Sequence, residues 1–121
     1  MSDKQEIEAV VQTYFDAMYE SSVEKVHEAF HPAAKITGYS RGKLQQMSVD
    51  DFAKFVSRQQ PSAKEKDEPV RLEIVSLEID GDIAVARVRD DYVGLTFLDI
   101  LSLLRVEGRW SIYNKLFHVE S

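Results

Sequence analysis

The stretch that decides the fold is residues 97–118, which read FLDILSLLRVEGRWSIYNKLFH. Apolar residues alternate on both sides of Glu107-Gly108, and this pattern predicts two antiparallel strands, 95–106 and 109–119, joined by a tight turn. A two- or four-residue loop sets one register, whereas a three-residue loop would break it. That register pairs 105 with 110, 103 with 112, 101 with 114, 99 with 116 and 97 with 118.

Both faces of this predicted hairpin are largely apolar. One face carries Trp110, and the opposite face carries Leu98, Ile100, Leu104, Tyr113 and Phe117. An antiparallel sheet with one wet face normally alternates apolar and polar residues, so both faces here need a cover. We expect helices on the Trp110 face, because tryptophan has the largest apolar surface. A second copy of the chain is expected on the other face, as a homodimer through the outer sheet face; the alternative is a twisted sheet with some exposed apolar residues.

The predicted inner face also holds a polar group. Asp99 lies diagonal to Asn114 and His118 in this register, within reach of side chains across the strands. A carboxylate, an amide and an imidazole among apolar side chains are costly to bury without partners. They therefore either satisfy one another or point into a pocket that holds water or a ligand. Lys115 alternates with Asn114, so we expect it on the outer face, in a cross-dimer or surface salt bridge rather than in a Schiff-base role.

The rest of the chain follows two periodicities. Apolar residues at helical spacing predict three helices, at 3–20, from Ser21 to about Phe30, and from Ser48 to about Arg58. Ser2 with Gln5 and Ser21 with Glu24 form capping boxes, and Pro32 ends the second helix. Residues 33–40 are extended, with Ile36 and Tyr39 inward, and residues 59–69 form a mobile polar loop. Alternation after Pro69 adds strands 70–80 and 82–93, with Asp80-Gly81-Asp82 as a tight turn. Helices first and strands later predict an α+β fold, with three N-terminal helices packed in a curved, mostly antiparallel sheet.

Composition sets the class of protein. The 121 residues fit a single domain, 1–121, with 44% hydrophobic and 30% charged residues. Cysteine is absent, which excludes disulfides and thiolate chemistry, and a net charge of −6 without a basic block argues against nucleic-acid binding. No apolar run approaches the ~18 residues that cross a membrane, and the N-terminus does not read as a signal peptide, so we expect a cytoplasmic protein. The three histidines lack metal-ligand spacing and no phosphate-binding loop is present, so we expect neither metal nor cofactor.

Residues 97–118 resemble the closing hairpin of the putative lumazine-binding family, which is similar to the SnoaL-like proteins and belongs to the nuclear transport factor 2-like superfamily. Phe30-His31-Pro32-Ala33-Ala34 also resembles the end of that family's second helix. The resemblance covers nearly the whole chain. It implies a cone-shaped fold with a pocket between helices and sheet, commonly as a homodimer. The superfamily includes ketosteroid isomerases, dehydratases, polyketide cyclases and non-enzymatic binding or association domains, and the family name implies a lumazine-type ligand.

Asp99 is the main candidate for chemistry, as a general base whose pKa burial would raise. His118 is the second catalytic candidate, with a strand end in water as its alternative, and one of Asp90 and Asp91 could point inward, although a solvated strand end fits both. The predicted ligand-binding walls could equally be plain core; they comprise Tyr14, Met18, Phe30, Tyr39, Phe52, Phe55, Trp110 and Asn114.

These residues support three hypotheses. The first is a protein that binds a compact apolar or planar small molecule. The second is an enzyme of the isomerase, dehydratase or cyclase type, with Asp99 as base and Tyr14 or His118 as acid. The third is an association domain that acts through the sheet face and has a filled interior.

Overall fold

In a computed structural model that describes residues 1–120, the chain forms three helices and six strands. The six strands make one sheet in the order β2-β1-β6-β5-β4-β3. Neighbours are antiparallel except β1 and β6, which are parallel. This architecture confirms the predicted α+β class. In chain order the elements are α1 (Asp3–Glu20), α2 (Val23–Ala29), β1 (Phe30–Ser40), β2 (Lys43–Ser48), α3 (Val49–Ser57), β3 (Leu72–Asp80), β4 (Ile83–Tyr92), β5 (Leu95–Val106) and β6 (Arg109–Val119).

Serine side chains cap all three helices. Ser2 and Gln5 form the predicted capping box at α1, and Ser48 caps α3 by accepting a hydrogen bond from the Asp51 amide. The predicted box of Ser21 and Glu24 is wrong by one residue. Ser21 ends α1 in the left-handed conformation (φ 55°), so the next serine, Ser22, caps α2 instead.

The segment after α2 departs most from the sequence-based expectation. α2 ends at Ala29, near the predicted end at about Phe30, but Pro32 lies inside β1, where the register against β6 shifts between Phe30 and Lys35. An interrupted ladder tolerates proline, because no strand hydrogen bond is lost there. The strand β2 was not predicted; its residues are mostly polar and half-buried or exposed. Tyr39 was predicted to point inward, but it is 66% exposed near the end of β1.

The helices pack on the Trp110 face of the sheet, as predicted. Trp110, Leu101, Leu103 and Ile112 are buried beneath them in one continuous core with the apolar stripe of α1. The four predicted C-terminal strands are confirmed to within two residues at each end. Between α3 and β3, residues 58–71 contain no helix or strand in the structure, which agrees with the loop predicted at 59–69. Among residues 1–120, no helix combines the length and apolar composition that a membrane span requires.

A β-bulge in the last hairpin decides what the inner face contains. The predicted pairs Arg105–Trp110 and Leu103–Ile112 are present, but the register then shifts and Ser102 pairs with Asn114. Tyr113 is the extra residue, so every side chain after it changes face. The predicted pairs of 101 with 114, 99 with 116 and 97 with 118 are therefore wrong. A bulge also bends its strand, as a curved sheet requires.

Candidate functional site

Four ionisable side chains meet in the interior between α1 and the sheet. They are Tyr14 from α1, Asp90 from β4, Asp99 from β5 and Lys115 from β6, and none is more than 6% exposed. The Tyr14 hydroxyl donates a hydrogen bond of 2.7 Å to Asp99 Oδ2. Lys115 Nζ lies 3.9 Å from the same oxygen. We call these four residues the buried cluster.

Sheet geometry brings three members of the buried cluster together. Asp90 pairs with Phe97 and Asp99 pairs with Val88, so the two carboxyl groups are diagonal neighbours on the inner face. Lys115 pairs with Leu101, which makes it diagonal to Asp99 on the other side. Lys115 reaches this face only because the bulge at Tyr113 inverts the end of β6.

Three buried polar atoms at this site have no hydrogen-bond partner among residues 1–120. They are Asp90 Oδ2, Asp99 Oδ1 and Tyr92 Oη. Burying a polar group without a partner costs about 1–3 kcal/mol, and native proteins contain few such groups. Three of them at one place indicate a site that is completed by something else: a shared proton, a water molecule or a ligand.

The environment of Asp90 favours the protonated form of its carboxyl group. Burial, a hydrogen bond with Asp99 and the charge of Asp99 raise the pKa of Asp90 from its ordinary value of 3.8 to about 9. Asp90 is therefore a neutral acid at pH 7, and its proton can pair it with the Asp99 carboxylate. Burial, followed by the charges of Asp90 and Asp99, also raises the pKa of Tyr14, which keeps its hydroxyl neutral.

Aromatic rings surround the single cation of the buried cluster. Lys115 Nζ lies 4.6 Å from the ring centroid of Phe52 and 4.9 Å from that of Tyr14. Such contacts stabilise a desolvated ammonium group by about 2 kcal/mol or more. Together with Asp99, they explain how a lysine can be buried here.

A cavity of about 510 Å³ opens at the wide end of the fold. Its walls are the end of α1, the loop after α3 and the turn between β4 and β5. Met18 and Tyr92 belong to its lining; Met18 lies one helical turn beyond Tyr14, and Tyr92 lies two residues beyond Asp90. The cavity and the buried cluster are therefore lined by neighbouring residues of α1 and of β4.

The structure brings together some of the predicted site residues. Asp99 and Tyr14 share the buried cluster, and Met18 lines the cavity. Phe30 packs edge-on against Tyr14 and against Phe52, which places both phenylalanines beside the cluster. Phe55 packs against Tyr92 with ring centroids 6.2 Å apart.

The other predicted site residues lie elsewhere. The bulge turns Asn114 and His118 to the outer face, where His118 is exposed, so their predicted grouping with Asp99 is wrong. Tyr39 is exposed and lines neither the cavity nor the cluster. Trp110 is buried, but its Nε1 donates a 3.2 Å hydrogen bond to Asp3 at the start of α1. Lys115 was predicted on the outer face, but the bulge at Tyr113 turns it to the inner face.

Sequence reasoning gave too little weight to Asp90 and missed Tyr92. Ala84, Ala86 and Val88 occupy alternate positions on β4, and the same alternation continues to Asp90. This alternation predicts that Asp90 points to the same buried face of the sheet as the three apolar residues before it. For Lys115 no comparable signal exists, because strict alternation assigns it to the wrong face. Among residues 1–120, no three His, Asp or Glu side chains are placed to hold a metal ion.

The sequence model of the family described as "Putative lumazine-binding" matches residues 2–118. The chain belongs to this family. Its fold is that of the nuclear transport factor 2-like proteins, as two solved structures show.

Both of those structures are of nuclear transport factor 2-like proteins of unknown function. The one from Silicibacter pomeroyi is 27% identical, covers 99% of this chain and 100% of its own, and has a TM-score of 0.89. The one from Methylobacillus flagellatus is 30% identical, covers 98% of this chain and 93% of its own, and has a TM-score of 0.87. A curated relative, aldolase FrzH from a Cladobotryum species, is 27% identical over 116 residues, which are 93% of this chain and 90% of that protein.

Proposed function

We propose that this protein is an acid–base enzyme that binds a compact carbonyl compound in the cavity and moves a proton at the carbon next to the carbonyl. The observation that carries this proposal is the convergence of three buried, unpartnered polar atoms (Asp90 Oδ2, Asp99 Oδ1 and Tyr92 Oη) behind the cavity within the described part of the chain. A closed structural network would satisfy such atoms internally. A ligand bound beside Met18 and Tyr92, which line the cavity, would supply partners to these atoms.

Asp99 is the proposed base. Its carboxylate is held by the Tyr14 hydroxyl at 2.7 Å and faces Lys115 at 3.9 Å, so its charge is compensated although it is buried. The C–H bond of the substrate breaks, its proton moves to Asp99, and the electron pair moves to the carbonyl oxygen. General-base catalysis of this kind contributes about 10²- to 10⁴-fold in rate.

Asp90 and Tyr92 are the proposed donors to the developing oxyanion. A neutral carboxyl group beside a carboxylate is the pattern in which one acid donates and the other accepts. Asp90 has this neutral form at pH 7, because burial and Asp99 raise its pKa to about 9. The Tyr92 hydroxyl is a second donor, free of any partner among residues 1–120.

Substrate must displace side chains to reach the buried cluster. Met18 and Tyr92 line the cavity on the side of the cluster. Methionine has three rotatable bonds and adapts to irregular space. The Tyr92 hydroxyl has no hydrogen bond within residues 1–120 to hold it in place. Rotation of these two side chains would therefore open the cavity toward Asp90 and Asp99.

The relative named as an aldolase supports the same chemistry. An aldol reaction begins by removing a proton from the carbon next to a carbonyl, which is the step assigned here to Asp99. This proposal includes the first hypothesis, a small-molecule-binding protein, since the substrate must bind in the cavity before it reacts. The substrate itself is proposed only as a class, a compact carbonyl compound with apolar neighbouring carbons.

A homodimer through the outer sheet face is part of the proposal. Ile100 and Leu116 pair across β5 and β6 on this face and are 40% and 48% exposed, and Tyr113, further along β6, is 38% exposed. Contiguous exposed apolar residues typically mark an association surface. This face lies opposite the helices, so a dimer would leave the cavity open.

Deuterium exchange tests the proposed chemistry. Cyclohexanone, acetophenone and phenylacetone are incubated with the protein in D₂O, and ¹H NMR follows the loss of the protons next to the carbonyl. Wild type is expected to accelerate exchange of at least one ketone, and Asp99→Asn to reduce that acceleration at least about 100-fold. Asp50→Asn, at a side chain that is 80% exposed on α3, is the matched control and should exchange as wild type does.

Two results would contradict the proposal. Exchange that Asp99→Asn leaves unchanged, with its fold verified by circular dichroism, would remove Asp99 from the chemistry. Ketones that raise the melting temperature but exchange no faster than in buffer would leave a binding protein without this catalytic activity.

A further inference from the structure

We propose that Arg58 binds a carboxylate of the ligand, so that the cavity binds a compact oxo-carboxylate in preference to an uncharged ketone; this inference rests on the proposed function. Arg58 ends α3 and lines the cavity with its side chain exposed. It is the position at which a charged group of the ligand can be recognised without competition from the protein.

The charged side chains that share the cavity wall with Arg58 are already paired. Lys66 Nζ lies 2.7 Å from Glu68 Oε1. Asp91 accepts hydrogen bonds from the Arg71 amide at 3.0 Å and from the Thr96 hydroxyl at 2.9 Å. The charges of these groups are therefore satisfied within the protein, and none of them needs a charged ligand as a partner.

Apart from Tyr92, whose hydroxyl has no partner among residues 1–120, the uncharged polar side chains of the wall are engaged as well. Ser21 Oγ donates to the Gln59 carbonyl at 2.6 Å, and Tyr19 Oη donates to the Glu68 carbonyl at 3.2 Å. Gln59 and Gln60 donate their side-chain amides to the carbonyls of the preceding α3 turn.

Arg58 differs from all of these side chains. Within residues 1–120 its guanidinium makes no ion pair and no hydrogen bond, although it carries five N–H donors. A guanidinium presents these donors as a planar fork that matches a carboxylate. In a chain with a net charge of −6, a local free cation is also what an anionic ligand needs against the general repulsion.

The position of Arg58 fits a ligand that reaches the buried cluster. Phe55 precedes it by three residues, which places both on the same side of α3. The Phe55 ring packs against Tyr92 at 6.2 Å. Arg58 therefore lies about one helical turn from the ring that supports Tyr92. A carboxylate at Arg58 would direct the other end of a compact molecule toward Tyr92 and Asp90.

A cation at the end of a helix also stabilises the helix dipole, which gives Arg58 a role that requires no ligand. The two roles have different consequences. Dipole stabilisation changes the melting temperature of the free protein, whereas a carboxylate site changes the affinity for charged ligands and leaves that for uncharged ones unaltered.

The test compares acids with their methyl esters. Binding of 4-oxopentanoate, 2-oxobutanoate and phenylpyruvate, and of the methyl ester of each, is measured by isothermal titration calorimetry at low and high NaCl. Wild type is expected to bind at least one acid about tenfold or more tightly than its ester, with a preference that weakens in high salt. Arg58→Gln should abolish the preference and Arg58→Lys should retain part of it. Lys54→Gln removes the same charge from the same helix outside the cavity and should keep the preference.

The inference is wrong if no acid in the panel binds, if the esters bind as tightly as the acids, or if Arg58→Gln leaves the preference intact. Exchange of the uncharged cyclohexanone separates this result from the proposed function, because it does not depend on Arg58. Only the inference is overturned if exchange requires Asp99 but the preference for acids over esters is unchanged in Arg58→Gln. An acid preference that requires Arg58, without exchange that requires Asp99, overturns only the proposed chemistry.

Discussion

The Tyr14 hydroxyl donates a 2.7 Å hydrogen bond to Asp99 Oδ2 across 85 positions of sequence, and both side chains are 0% exposed. This bond joins α1 to the inner face of β5 at the centre of the buried cluster. It satisfies one oxygen of Asp99 and leaves the other, Oδ1, without a partner among residues 1–120. The stability of the fold and the proposed chemistry therefore depend on the same few atoms.

Tyr14 and Tyr92, whose hydroxyl groups are both buried, are predicted to respond in opposite ways to the loss of those hydroxyl groups. Tyr14→Phe removes a hydrogen bond to a charged acceptor and should lower the free energy of unfolding by about 1.5–3 kcal/mol. Tyr92→Phe removes a hydroxyl that has no partner within the described chain and should be neutral or stabilising by about 1 kcal/mol. Urea denaturation of both variants checks this. Equal losses would mean that the Tyr92 hydroxyl does have a partner in solution.

Asp90 should make the protein less stable as pH rises. Its pKa is about 9 in the fold, because burial and Asp99 favour the neutral form, against 3.8 ordinarily. The native state therefore holds a proton that the unfolded state releases between these values. This contribution is complete below pH 4 and is lost as pH rises toward 9, by at most about 1.4 kcal/mol per pH unit.

Asp90→Asn removes this dependence without changing the size of the side chain. Relative to wild type, the variant should gain stability steadily from pH 5 to pH 8 in urea denaturation. Asp50→Asn, at an exposed side chain, should track wild type over the same range. Parallel curves for Asp90→Asn and wild type would show that Asp90 is ionised in the fold.

Lys115 and Asp99 should be strongly coupled. Lys115→Met leaves a buried carboxylate without its cation and should cost about 3–5 kcal/mol. Addition of Asp99→Asn removes the uncompensated charge, so the double variant should cost clearly less than the sum of the two single variants. A double-mutant cycle by chemical denaturation gives the coupling energy. Additive costs would contradict the ion pair.

The turn between β4 and β5 contains a strained residue beside the cavity. Val93 has a φ of 46° and Gly94 a φ of 79°, the pattern of a type I′ turn, which favours Asn-Gly. A β-branched residue with this backbone costs about 1–3 kcal/mol. Val93→Asn should therefore stabilise the protein by about 1 kcal/mol in thermal and urea unfolding. Arg41→Asn, before Gly42 in the matching turn, should gain less because arginine is not β-branched.

The outer sheet face should hold the proposed homodimer together. Leu116→Lys places a charge in the middle of the exposed apolar patch and is expected to produce a monomer in analytical ultracentrifugation. Val23→Lys makes the same change at a 39% exposed position on α2 and should leave the oligomeric state unaltered. A wild-type protein that is monomeric at all concentrations would refute the dimer.

Local patterns in the sequence were sufficient for most of the elements. The 3.6-residue period and the capping box of Ser2 predicted α1, and the alternation after Pro69 predicted four strands with their turns. The face covered by the helices also followed from the sequence, because burial of Trp110 outweighs the alternatives. The β2 strand was missed because its polar, exposed residues carry no periodic signal.

The content of the site was decided by tertiary structure. Sequence alone placed Asp99 on the inner face, because it precedes the bulge and shares its parity with Leu101 and Leu103. It could not show that one extra residue, Tyr113, exchanges Lys115 for Asn114 and His118, since a bulge is set by the curvature that the whole sheet must adopt. It named Tyr14 only as one possible acid for Asp99, because their hydrogen bond depends on how α1 packs against the sheet. The sequence determined that a carboxylate would be buried, and only the fold determined the partners that control its charge.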